Sequence, residues 1–183
     1  EGVEQISAET LGNYFVDNGI GTPSAAVRDA SDLSLVHLTF TVPFGSGVTN
    51  TITLNNINDF SSNAIAANST AQFVYYETVL PDSGDVVINE VLFHAETGGK
   101  EFIELYNRSS KYIDLKDVYF YDASYSNPLF AITTARRILL PGEYVAVTED
   151  TTDIISRYFV PDHSALIQSP NLPSFTDGEI GRA

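Results

Sequence analysis

Carboxylates are the side chains in this sequence with the most chemical promise. Glu90, Glu101 and Glu104 fall in one strand-like stretch between Asp85 and Asp122. Two carboxyl groups held about 5–10 Å apart across a cleft are what acid/base hydrolysis of a glycoside requires. The spacing argues against it. Glu101 and Glu104 are three residues apart, so a regular strand points them to opposite faces, and only a bulge would bring them together. Glu90 shares its period-two face with Val86, Ile88 and Leu92. The expected role is structural, with Glu90 or Glu104 answering a backbone amide or a Lys/Arg. No catalytic residue is assigned.

A second acidic group is Glu149, Asp150 and Asp153, set beside Thr151 and Thr152. Hard oxygen ligands on a loop suit Ca²⁺, which makes these three the metal candidates and calcium the one cofactor considered. The spacing D-x-[DN]-x-[DN]-G is absent, however. The same acids also explain themselves at the start of a short helix over Thr151 to Tyr158, with Thr151 or Thr152 as N-cap and Asp153 near the positive end. His37, His94 and His163 are scattered and lack the H-x-H or H-E-x-x-H spacing of a zinc site, so they are read as surface histidines. Cysteine is absent and no G-x-S-x-G occurs, which leaves no recognisable nucleophile. Asn18-Gly19-Ile20-Gly21 lacks the lysine of a phosphate loop and reads as a hairpin turn needing positive φ. Tyr119, Tyr121 and Tyr125 are the ligand-binding candidates, with Phe120 on the other strand face; exposed tyrosines stack on sugars or grip proteins. Asn68-Ser69-Thr70 and Asn107-Arg108-Ser109 fit the N-glycosylation pattern.

The elements that must position these residues are strands. Val36, Leu38, Phe40 and Val42 alternate with His37, Thr39 and Thr41. TNTITLNNI, QFVYYETV, VVINEVLF, KEFIELYN, KYIDL, DVYFYD and GEYVAVTED follow, rich in β-branched and aromatic residues. Turn clusters at Asp17-Asn18-Gly19, Gly45-Ser46-Gly47, Asp82-Ser83-Gly84 and Gly98-Gly99 separate them. Short strands with frequent turns predict an all-β sandwich architecture. A Pro, Gly and acid-rich stretch at 80–85 marks a boundary, giving one domain over 1–80, a linker at 81–85 and a second domain over 86–183.

The 183 residues carry a net charge of −15, from 24 acids and 9 bases. Residues 1–80 contribute eight acids and one base, Arg28. Such a surface repels phosphate backbones, so no nucleic-acid partner is expected. No apolar run reaches the ~18 residues of a membrane helix, so no direct membrane insertion is expected. Without cysteine there is neither a disulfide framework nor a thiolate metal site.

Val87-Ile88-Asn89-Glu90-Val91, the Gly-Gly turn, Glu101-Phe102-Ile103-Glu104-Leu105-Tyr106-Asn107, Ile113-Asp114-Leu115 and Leu140-Pro141-Gly142-Glu143-Tyr144 form a succession that resembles the lamin tail domain in its bacterial form, over about 85–178. Two departures stand out: Tyr119 or Phe120 fills the place of the family's tryptophan, and the closing strand is lacking. Residues 13–78 resemble the second half of a bacterial surface-layer-type immunoglobulin-like domain, on NYFVDNGIGTPSAAV, the strand up to Phe44 and TNTITLNNINDFSSNAI. Asp59 and Asn63 flank a turn that in such domains reads D-x-x-G-N, with Ser61-Ser62 here at the glycine. These resemblances imply two tandem immunoglobulin-like β-sandwich modules, the first incomplete at its N-terminus, in an exported or outer-surface bacterial protein. They imply a non-catalytic interaction or spacer module whose partner is a protein or glycan at the cell surface. The alternatives are an accessory domain of a secreted phosphoesterase or glycosidase, and a carbohydrate-binding adhesion module. Unpaired edge strands add an expected homodimer through edge pairing.

Overall fold

The computed structural model describes residues 1–122, 126, 129–170, 172, 173 and 175. Among them are thirteen strands and two short α-helices, so the chain is all-β. It divides into two compact units, Glu1–Glu77 and Thr78–Ala183.

The first unit opens with a one-turn helix, α1 (Gln5–Ala8), whose N-terminal amides are answered by Glu4 rather than by a Ser or Asp. Strands β1 (Tyr14–Val16), β2 (Ala25–Arg28), β3 (Val36–Thr39), β4 (Thr49–Leu54) and β5 (Ser69–Val74) follow. They form a sheet in the order β1-β4-β5 and a separate β2-β3 hairpin. The alternation predicted from Val36 to Val42 thus stops at Thr39 as a strand. Tyr14, Ala26 and Ile57 are buried at the centre, with Val36, Leu38, Ile52 and Leu54 packed against them. The Tyr14 hydroxyl donates to Ala8 O at 2.7 Å, which ties α1 to β1. The turn after β1 needs left-handed backbone at Asn18 (φ 54°) and Gly19 (φ 81°), and Val16 and Gly21 exchange amide hydrogen bonds across it at 2.9 Å. This is the hairpin the sequence predicts. In the Asp59–Asn63 turn, Asp59 Oδ1 accepts the Ser61 and Asn63 amides at 2.8 Å, and Ser62 takes φ 65°. A serine thus holds a left-handed conformation that glycine adopts more readily.

The second unit contains β6 (Val86–Leu92), β7 (Phe102–Asn107), β8 (Ile113–Asp114), β9 (Tyr119–Tyr121), β10 (Leu129–Ala131), β11 (Ile138–Leu139), β12 (Tyr144–Thr148), α2 (Thr151–Arg157) and β13 (Leu166–Gln168). One layer is a four-stranded sheet in the order β13-β12-β7-β6, and β8-β11 and β9-β10 are two-stranded pairs. Side chains from both sets meet in one core: Ile103, Leu105, Val145, Val147 and Ile167 from the sheet, Ile113 and Leu139 from the β8-β11 pair, with Leu115 and Ile132. Ile113, Leu115, Leu139, Val145 and Val147 are fully buried.

The helix N-cap corrects the sequence reading. Asp150, not Thr151 or Thr152, caps α2, accepting the Thr152 amide at 2.8 Å and the Asp153 amide at 3.3 Å. A carboxylate one residue earlier both caps the helix and meets its positive end, which a threonine hydroxyl does not.

Candidate functional site

Asn107, Gly142 and Glu143 of the second unit meet at one corner. Asn107 ends β7 and is completely buried. Its Nδ2 donates to Lys111 O at 2.8 Å and to Leu139 O at 3.0 Å, while its Oδ1 accepts the Ser109 amide at 3.0 Å and hydroxyl at 2.7 Å. Its backbone accepts from the Gly142 amide at 2.9 Å and donates to Glu143 O at 3.0 Å. Leu140-Pro141-Gly142-Glu143 is a tight turn with Gly142 at φ 74°, where a side chain would be strained. Glu143 locks that turn by accepting the Leu140 amide and Arg137 Nη2, both at 2.6 Å. One residue therefore joins β7, the loop before β8 and β11 through its side chain, and the entry to β12 through its backbone. With both amide hydrogens engaged and no exposed surface, Asn107 cannot carry a glycan.

The acidic group at 149–153 is held by neighbouring cations and amides. Glu149 pairs with Lys100 Nζ at 2.7 Å. Asp153 accepts the Lys100 amide at 2.8 Å and Arg157 Nε at 2.7 Å. Arg157 foremost, then the Lys100 amide, holds the Asp153 carboxyl below the usual carboxylate range. Asp150 is the helix cap. The three calcium candidates are thus close in sequence yet directed at different partners, and among the described residues no group of three His, Asp or Glu is arranged to hold a metal ion. Lys100, Glu101 and Glu149 also line a groove of about 790 Å³ beside the β6–β7 loop, with His94, Glu96 and Phe175. Glu101 there accepts the Phe175 amide at 2.8 Å.

Glu90 and Glu104 are a different case, and β6 is where the sequence reading needs correction. A register shift between Ile88 and Glu90 breaks the period of β6. Val86 and Ile88 pair with Asn107 and Leu105, residues of the core face, whereas Glu90 and Leu92 pair with Glu104 and Phe102 on the outer face. Glu90 therefore does not share a face with Val86 and Ile88: the bulge at Asn89 turns it outward. It also sets Glu90 directly across from Glu104, while Glu101 lies outside β7. Asn89 Nδ2 donates to Glu104 at 2.6 Å, in place of the expected backbone amide or cation. Glu90 makes no hydrogen bond or ion pair among the described residues.

The outer face around this pair is apolar. Leu92, Phe102, Tyr144, Ala146 and Leu166 line a groove of about 350 Å³, walled by α2 and by the segment from Tyr158 to Asp162. Tyr144 stacks on Tyr106 at 4.3 Å between ring centroids, and Phe102 meets Tyr158 edge-on at 6.5 Å. Phe159 stands at the rim, 93% exposed. Sequence reasoning missed this groove. The available signal lay in FIELY and EYVAV, which carry large apolar or aromatic residues at both phases of the strand and so announce two covered faces.

Tyr119 and Tyr121 lie on one face of β9, 52% and 69% exposed, while Phe120 between them packs on the core. They border another groove, of about 410 Å³, that Ile88 and Val86 also line. Tyr125, the third tyrosine candidate, lies outside the described residues. His37 pairs with Asp29 at 2.9 Å in the first unit.

Residues 80–178, more than half of the chain, match the Lamin Tail Domain family, and that match spans the buried Asn107 corner, the bulged β6 and the outer-face groove. No curated protein and no solved structure matches the chain. The chain therefore belongs to the lamin tail domain family, an immunoglobulin-like β-sandwich.

Proposed function

We propose that this chain is a non-catalytic interaction and spacer module of an exported or cell-surface bacterial protein, with a surface-layer-type immunoglobulin-like first unit before the lamin tail sandwich. The observation that carries the reading is the use to which the reactive side chains are put. Glu149, Asp150 and Asp153 hold Lys100, the α2 N-terminus and Arg157, Glu143 locks a turn, and Glu101 accepts a backbone amide. What remains on the sheet is a pair of opposed glutamates in an apolar groove, with only Asn89 donating to Glu104, a setting suited to binding. The left-handed Ser62 in the Asp59–Asn63 turn supports the surface-layer-type reading of the first unit. The partner is a protein at the cell surface. Turnover assays on aryl phosphoesters and aryl glycosides test the reading: the chain is expected to give no rate above buffer. Turnover that vanishes in Glu90→Gln/Glu104→Gln with the fold retained would make it a hydrolase instead.

A second reading has its own observation. Tyr119 and Tyr121 present two exposed rings from one strand face beside a groove, the arrangement on which sugars stack. Binding on a glycan array that is lost in Tyr121→Ala would favour a carbohydrate-adhesion module; an array without signal would remove that reading.

A further inference from the structure

A sheet face turned to water normally carries polar side chains. The outer face of β13-β12-β7-β6 instead sets two glutamates among apolar and aromatic side chains, and its groove has three properties that together define an occupant. It is apolar, lined by Leu92, Phe102, Tyr144 and Leu166, with Phe159 exposed at its rim. Its charged lining residues are all acidic: Glu90, Glu104 and Asp162, with no Lys, Arg or His. Asp162 is committed to Ser164, whose amide and hydroxyl it accepts at 2.8 and 2.7 Å. Glu90 and Glu104 are not so committed. They sit directly across two paired strands, where like charges oppose folding. Asn89 answers Glu104 alone and brings no positive charge.

We propose that this groove receives a segment of a partner protein in which a Lys or Arg is flanked by bulky apolar side chains. This deepens the interaction-module reading and rests on it. The cation lies between Glu90 and Glu104 and relieves their repulsion. The flanking apolar groups cover Phe102, Tyr144 and Phe159, and the aromatic rings add attraction to the cation. A nucleic acid would meet only like charge here, and a small inorganic cation would leave the apolar walls and Phe159 exposed. Charge complementarity thus selects a basic, apolar peptide.

The test is to pan the full chain against a random peptide library at low salt, then titrate synthetic copies of the enriched peptides by calorimetry. Enriched peptides should carry a Lys or Arg between apolar residues. Replacing that Lys by norleucine should weaken binding about tenfold, and Glu90→Gln/Glu104→Gln should remove a similar factor. Phe159→Ser, at a site too exposed to disturb folding, should weaken it as well. Raising salt should weaken binding to the native chain more than to the double variant. Enrichment of peptides without a basic residue, or binding that both variants leave unchanged, would overturn the groove assignment while leaving the interaction reading standing. So would a concentration-dependent dimer that the double variant abolishes, because it would make a second copy the occupant. A library that yields no peptide also overturns it, and turnover of an aryl phosphoester or aryl glycoside would remove the interaction reading as well.

Discussion

Replacing Asn107 by alanine tests whether this strand-end asparagine is the brace of the sandwich. The side chain is fully buried and makes four hydrogen bonds, two donated to Lys111 O and Leu139 O and two accepted from Ser109. Alanine leaves the buried Leu139 carbonyl and the half-buried Lys111 carbonyl without that donor, and each buried polar group so orphaned costs roughly 1–3 kcal/mol. Ser109 lies nearer the surface and recovers part of its loss from solvent. The sum is about 3–5 kcal/mol, a large fraction of the 5–15 kcal/mol that a domain has in total. For a unit of about 100 residues it corresponds to a fall in Tm of roughly 15–30 °C. Differential scanning calorimetry of the full chain would give the shift. Hydrogen exchange of the Leu105 and Val145 amides would assign it to the second unit. Asn107→Asp keeps the shape and the acceptor but turns a carboxylate toward two carbonyls, so it should be at least as damaging at neutral pH. A loss below about 1 kcal/mol for Asn107→Ala would refute the reasoning, since it would mean that the corner closes equally well without its donor.

Other outcomes follow from single contacts. Asp150→Ala should cost about 1 kcal/mol and fray α2, while Thr152→Ala should change little; calorimetry on both variants separates the observed cap from the one expected of a threonine. Ser62→Gly should raise stability by roughly 0.5–1 kcal/mol, because glycine enters the left-handed region at no steric cost; a decrease would show that the serine side chain matters to the turn. Acid dependence follows from Asp85, depressed foremost by Lys111, and from Asp153, depressed foremost by Arg157. A carboxyl whose folded pKa is lowered stabilises fully above its ordinary value of 3.8 and loses that contribution as pH falls through the folded value. Tm should therefore hold down to about pH 5 and fall below about pH 4, and Lys111→Met should flatten that fall. The same pair predicts an alkaline loss, because Lys111 is raised above 10.5 and its contribution is complete below that value and declines as pH rises past it.

The longer strands of both units were legible because their information is local, whereas the short β2, β10, β11 and β13 were not among the strands read from the sequence. Period-two alternation in VHLT and TNTITL and the β-branched, aromatic runs at 86–92 and 102–107 identify the former without reference to anything distant. The Asn18-Gly19 turn was legible for the same reason, since its residues carry the backbone geometry themselves. Three features were not. The register shift at Asn89 cannot be read from VVINEVL, where apolar residues occupy both phases; it follows from pairing with β7, and it decides which way Glu90 points. The α1 turn is capped by Glu4, outside the usual capping set, and is too short to show helical period. The groove arises when α2 and the segment after it fold over the sheet, a contact between residues some fifty positions apart, as Phe102 and Tyr158 show. Sequence thus named the glutamates but not their partners, because partners are set by register and by non-local packing.

The proposed occupancy of the groove implies that the sheet's outer face is kept for a partner at the expense of the fold. It is tested most directly by the thermal stability of Glu90→Gln/Glu104→Gln in the isolated chain. If the pair exists for binding, removing two opposed charges should leave stability unchanged or raise it by up to about 1 kcal/mol. A loss of about 1 kcal/mol or more would contradict it, because the glutamates would then be holding the sandwich together.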